Sequence, residues 1–108
     1  MSYYTPEKWI IVKVHHEESK TTIYKILGSW YGGFAGADEW RLSSGITSIK
    51  DNGNHYLIGN HSGSEYTCYK NSEGASAYSY GILSEMISKA DKSGEVSISR
   101  AEIKEIKL

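Results

Sequence analysis

The sequence predicts an α+β domain, an antiparallel β-meander of about five or six strands with one amphipathic helix packed on it. Three observations carry that expectation. Short segments rich in β-branched and aromatic residues recur between turn signals as far as Lys70. The apolar period then changes from that of a strand to that of a helix for one stretch near the end. The composition is aromatic and glycine-rich, with Tyr 9, Trp 3 and Gly 11 beside Pro 1.

The first element is 8–16, Lys-Trp-Ile-Ile-Val-Lys-Val-His-His, too short and too apolar for a surface helix. Ile10, Val12 and Val14 share one face by the two-residue period, and this even face is the expected core face. A turn at Glu17-Glu18-Ser19-Lys20 leads into a returning strand at 21–31, whose Gly28 marks a bulge or a close approach. Three glycines in the five residues from Gly32 to Gly36 interrupt the pattern as a loop. Strands are expected at 39–43 and 46–50, and Asn52-Gly53 is the hairpin signal before a strand at 55–60. His61-Ser62-Gly63-Ser64 makes a further tight turn into a strand at 65–70.

From Ser79 to Ala90 the apolar residues Ile82, Leu83, Met86, Ile87 and Ala90 form one helical stripe, with Gly94 placed to stop the helix. In the tail, Val96 and Ile98 alternate as in a strand joined to the sheet, while Ser99-Arg100-Ala101-Glu102 matches a capping box that would open a short helix.

A chain of 108 residues has room for one ordinary core, so residues 1–108 are read as a single domain. The near-neutral balance, Lys+Arg 12 against Asp+Glu 13, disfavours duplex DNA as a partner, because neutralising a phosphate backbone needs a marked excess of cations. No apolar run is long enough to span a bilayer and the opening residues carry no signal-peptide pattern, so no membrane partner and a cytoplasmic location are expected. A lone cysteine, Cys68, fits a reducing compartment.

The segment 28–41 concentrates the chemistry. It holds Trp30 and Trp40, the chain's single Phe, Phe34, and Arg41. Flexible glycines beside wide flat side chains make a place where a planar ligand stacks while backbone N–H groups reach its polar edge. Arg41 adds a rigid donor fork suited to phosphate or carboxylate, and Ser43-Ser44 supplies further donors. The candidate ligand-binding residues are therefore Trp30, Tyr31, Gly32, Gly33, Phe34, Trp40, Arg41, Ser43 and Ser44. The plainer reading makes Trp30 and Trp40 core residues and the glycines a sheet corner.

Other patterns are weaker. Asp91, Ser93, Glu95, Ser97, Ser99 and Glu102 carry oxygens at the spacing of an EF-hand calcium loop, but Val96 stands where the loop's sharp turn calls for Gly. His15 and His16 are neighbours on a strand and point to opposite faces, and His55 and His61 flank a strand, so no metal site is expected. Cys68 alternates with Tyr66 in a strand, where a buried thiol is the default over a nucleophile. No assembled acid, base and nucleophile is found, and neither catalysis nor a cofactor is expected. Tyr66, Tyr69, Tyr78 and Tyr80 with His61 and Lys70 offer a second aromatic surface, the basis of an alternative reading as a single-stranded nucleic-acid binder, with a small enzyme a further alternative.

The runs 8–14, 28–34, 40–46 and 62–71 together resemble a family of small uncharacterised bacteriophage and prophage proteins. That resemblance carries no catalytic residues. It implies a small non-enzymatic accessory protein in the host cytoplasm that binds and sequesters or blocks a host-derived ligand, either a nucleotide-like small molecule or a host protein. A homo-oligomer is left open, as is the strand order.

Overall fold

The computed structural model describes residues 2–32 and 38–108. Among them are eight strands and one α-helix: β1 (Tyr3–Tyr4), β2 (Lys8–His16), β3 (Thr21–Trp30), β4 (Glu39–Leu42), β5 (Ile46–Asp51), β6 (His55–Asn60), β7 (Glu65–Tyr69), α1 (Ala77–Ser93) and β8 (Val96–Ala101). The fold is α+β, with every ladder antiparallel except the short parallel pairing of β1 with β7. The strands divide into two four-stranded sheets, in the orders β4-β3-β2-β8 and β1-β7-β6-β5. No helix among the described residues is long and apolar enough to cross a membrane.

β2 explains why there are two sheets. Its opening run Trp9-Ile10-Ile11-Val12 is apolar at every position, and all four residues are buried. A strand with that pattern has to be covered on both faces. The even residues Ile10, Val12 and Val14 pack with Leu27 and with Leu83 of α1. The odd residues Trp9 and Ile11 pack with Ile26, Ile46, Ile58, Tyr66 and Cys68, most of them from the second sheet. The even face is thus one of two core faces, and the layers run helix, sheet, sheet. β2 is interior because β3 pairs along one side, Lys8 with Ser29 through His16 with Thr21, and β8 along the other, Ile11 with Ala101 through His16 with Val96.

The helix begins a little earlier than its apolar stripe. Ser76 is the N-cap: its hydroxyl accepts from the Ser79 amide at 3.2 Å, and its own amide donates to the Ser79 hydroxyl at 2.9 Å. This is a reciprocal cap built from two serines. The helix ends at Gly94, whose φ of 69° is the left-handed cap conformation that glycine adopts without strain. In the tail the strand continues through Ala101, and a single 3-10 turn at Ile103–Glu105 is capped by Glu102 rather than by Ser99.

Two features bring the amino-terminal segment onto this frame. Pro6 is fully buried, and a Cβ added at Gly28 would meet Pro6 Cβ at 3.0 Å, so Gly28 permits a close approach of the two segments. The Glu7 amide donates to the Ser29 carbonyl at 3.0 Å. Tyr3 and Tyr4 then continue across to pair with Glu65 and Tyr66 of the other sheet.

Candidate functional site

β4 pairs with β3 so that Gly28 faces Arg41, Ser29 faces Trp40 and Trp30 faces Glu39. Side chains alternate along a strand, which sends Arg41 and Glu39 toward the second sheet and Trp40 and Leu42 toward the helix. Arg41 lies with its Cζ 4.6 Å from the centre of the Tyr4 ring. Tyr4 is itself packed between aromatic neighbours, 4.9 Å from the Tyr66 ring and 6.4 Å from the Trp30 ring. The Trp30 indole N–H donates to the Thr5 carbonyl at 3.0 Å and fixes that edge of the cluster.

Tyr4 and Arg41 separate two adjoining hollows at the seam between the sheets. One, of about 450 Å³, is lined by Tyr3, Tyr4, Thr5, Glu7, Trp30, Tyr31, Glu39 and Arg41. The other, of about 270 Å³, is lined by Ser2, Tyr4, Arg41, Leu42, Ser43, Ser44, Ser62, Ser64 and Tyr66. The first is walled by aromatic rings with two carboxylates at its rim, and the second is dominated by hydroxyl groups. Arg41 belongs to both, and it enters none of the ion pairs formed among the described residues.

A hydrogen-bond chain crosses the serine hollow. The Ser62 amide donates to the Ser44 hydroxyl at 3.0 Å, which donates to the Ser62 hydroxyl at 3.0 Å, which donates to the Ser64 hydroxyl at 3.2 Å. Asn60 Nδ2 donates to the same Ser64 oxygen at 3.2 Å and to the Ser64 carbonyl at 3.2 Å. Asn60 is buried, and its Oδ1 has no hydrogen-bond partner among the described residues. Burial pushes the Tyr66 hydroxyl up to about 12, with the positive charge of Arg41 opposing, so this wall of the hollow is neutral at physiological pH.

The structure divides the residues that the sequence grouped. Trp30, Tyr31 and Arg41 line the aromatic hollow, while Arg41, Ser43 and Ser44 line the serine hollow. Tyr31 is held by its amide, which donates to the Glu7 carboxylate at 2.8 Å, and Gly32 by its amide, which donates to Asp38 Oδ1 at 2.9 Å. Trp40 is on the opposite face, beside Ile82, Glu85, Met86 and Lys89 of the helix, and it joins neither hollow. At 42% exposed it is not a core residue either. Ser43 is buried, and its hydroxyl is committed: it accepts from the Ile26 amide at 2.8 Å and donates to the Ser44 carbonyl at 2.7 Å. Gly33 and Phe34 lie outside the described residues. The sequence reading missed Tyr3, Tyr4, Glu7, Ser62 and Ser64, since only the tertiary pairing of β1 with β7 and the β6–β7 turn brings them to Arg41.

The other patterns take ordinary places. Tyr66 is buried whereas Tyr69 and Tyr80 are exposed, so these tyrosines do not share one platform. Lys70 is paired with Asp51 at 2.8 Å and lies over Tyr56. Asp91 and Ser93 belong to α1, and residues 96–101 are extended strand, which cannot wrap an ion as a calcium loop does. Among the described residues no group of three or more His, Cys, Asp or Glu side chains converges as a metal site. Cys68 is fully buried and burial pushes its thiol up to about 12, far from the thiolate that a nucleophile requires. Comparison of the chain with protein-family models, with curated proteins and with solved structures finds no match.

Proposed function

We propose that the protein is a small non-enzymatic binding module that captures a nucleotide-like ligand at the seam between its sheets. The planar ring lies in the hollow of Tyr3, Trp30 and Tyr31, and the anionic group lies on the serine side of Arg41. The observation that carries this reading is Arg41 itself. Its guanidinium carbon lies 4.6 Å from the centre of the Tyr4 ring, it has no carboxylate partner among the described residues, and its side chain lines both hollows. A planar donor fork so placed is suited to phosphate or carboxylate. Glu7 and Glu39 at the rim supply acceptors for the amino or hydroxyl groups of a nucleoside. Volumes of this order fit a small ligand. In the phage-type setting that the sequence resembles, capture withholds a host-derived nucleotide in the host cytoplasm.

The test is native mass spectrometry of protein purified from cells, run beside the Arg41→Ala variant. A small ligand should travel with the wild-type protein and be lost from the variant. The variant should be destabilised by at most about 1 kcal/mol, because it forfeits one exposed cation–π contact. A variant that keeps the ligand refutes the assignment.

A further inference from the structure

The direction of the serine chain narrows the ligand class of this site. The Ser44 hydroxyl spends its proton on Ser62, and the Ser62 hydroxyl spends its proton on Ser64. The Ser64 oxygen accepts twice, from Ser62 and from Asn60 Nδ2, and among the described residues its own proton is donated to no protein group. A hydroxyl at the end of a one-way chain is polarised by the donors behind it and is the stronger donor for it. Ser64 lines the same hollow as Arg41. The free hydroxyl proton and a guanidinium with no carboxylate partner among the described residues therefore line one small space whose other lining residues are uncharged.

We infer that Ser64 and Arg41 together make this site selective for a terminal phosphate monoester, an inference that rests on the ligand reading above. A phosphate monoester offers three strong acceptor oxygens. A guanidinium fork engages two of them side by side and leaves the third for a hydroxyl donor. A carboxylate, or a cyclic phosphodiester with its ester oxygens tied into a ring, has no third terminal oxygen for Ser64. Ser64 is thus a specificity-determining residue, and Ser44 and Ser62 are positioning residues that orient its proton.

The experiment is calorimetric titration at fixed salt with adenosine and guanosine, their 5′-monophosphates and their 3′,5′-cyclic monophosphates. At least one 5′-monophosphate should bind about tenfold or more tightly than its nucleoside and its cyclic diester, the worth of a hydrogen bond to a charged group. Ser64→Ala should erase the advantage over the cyclic diester, keep the part of the advantage over the nucleoside that Arg41 supplies, and leave nucleoside affinity unchanged, while Ser64→Thr, which keeps the hydroxyl, should retain both. The Asn60 bond to the Ser64 carbonyl survives in both variants, so the turn stays anchored. A cyclic diester that binds as tightly as the monoester, or a Ser64→Ala variant with full monoester affinity, overturns the inference and leaves the ligand reading standing. Binding of none of these compounds at millimolar concentration overturns the ligand reading and the inference with it.

Discussion

Replacing Ser43 with alanine separates the serine that holds the β3–β4 edge together from those that only line the hollow. Ser43 stands just past the end of β4, two residues after Arg41, and only 5% of its surface is exposed. Its amide donates to the Ile26 carbonyl at 2.9 Å, as in a continuing ladder, but the Ile26 amide finds the Ser43 hydroxyl at 2.8 Å in place of a backbone carbonyl. Ile26 is completely buried, so an alanine at 43 leaves its N–H without a partner and out of reach of water. An orphaned buried donor costs about 1–3 kcal/mol. For a domain of this size each kcal/mol moves the melting temperature by roughly 5 °C, so the expected fall is about 5–15 °C. Differential scanning calorimetry reads it directly, with Ser44→Ala as control. Ser44 bridges the exposed hydroxyl of Ser62, and its loss should cost under about 1 kcal/mol. If Ser43→Ala melts within about 2 °C of the wild-type protein, or Ser44→Ala proves the more damaging, the structural role given to Ser43 is wrong.

Two further outcomes follow from the same geometry. Cys68 is raised from 9.0 to about 12, and Tyr66 from 10.0 to about 12, in the folded protein. Above the lower values the unfolded chain releases protons that the folded chain keeps, so stability is full below about pH 9 and should fall as pH rises toward 12. Urea denaturation at pH 8 and pH 11 checks this, and equal midpoints refute it. Millimolar calcium should leave the melting temperature unchanged, because the stretch 91–102 is helix end and strand, and an ion bound only by the folded state would have to raise it.

What the sequence made legible was local. The strand at 8–16, the Asn52-Gly53 hairpin and the stripe from Ile82 to Ala90 each depend on neighbours within a few residues, and all three stand in the structure, although the expected single core face of 8–16 proves to be one of two. The second sheet was written in Trp9-Ile10-Ile11-Val12, but a short continuous apolar run does not say what covers it. Tyr3–Tyr4 had no strand signal at all, since two residues have no period; their strand exists because Pro6 seated on Gly28 delivers them to β7. Among the candidate site residues, Arg41 stands out in the sequence by its chemistry and lines both hollows, whereas grouping it with Trp40 ignored the alternation that sends neighbouring strand residues to opposite faces. Ser62 and Ser64 read as turn formers because that is their local role. Their approach to Ser44 spans eighteen residues of chain from Ser44 to Ser62, beyond any short-range pattern.

The position of Arg41 follows from the strand orders. β4 is an edge of one sheet and β1 an edge of the other, and the Arg41–Tyr4 stack joins those two edges. An edge strand carries backbone groups with no ladder partner, a liability that proteins commonly blunt with charge or cover. Here a cation and a tyrosine from opposite edges close on each other, and the hollows open on either side of that contact. A side chain serving only to protect an edge would project alone into solvent, as lysine commonly does. Arg41 instead lies over an aromatic ring that is packed against two further rings, with a hydroxyl chain in one adjoining hollow and acidic side chains in the other. Fixing a long cationic side chain costs rotamer entropy, a loss that one exposed stacking contact offsets only in part. Under the proposed function, recognition of an anionic group would make such a placed donor useful, because a guanidinium already held against an aromatic ring gives up less freedom when a ligand arrives.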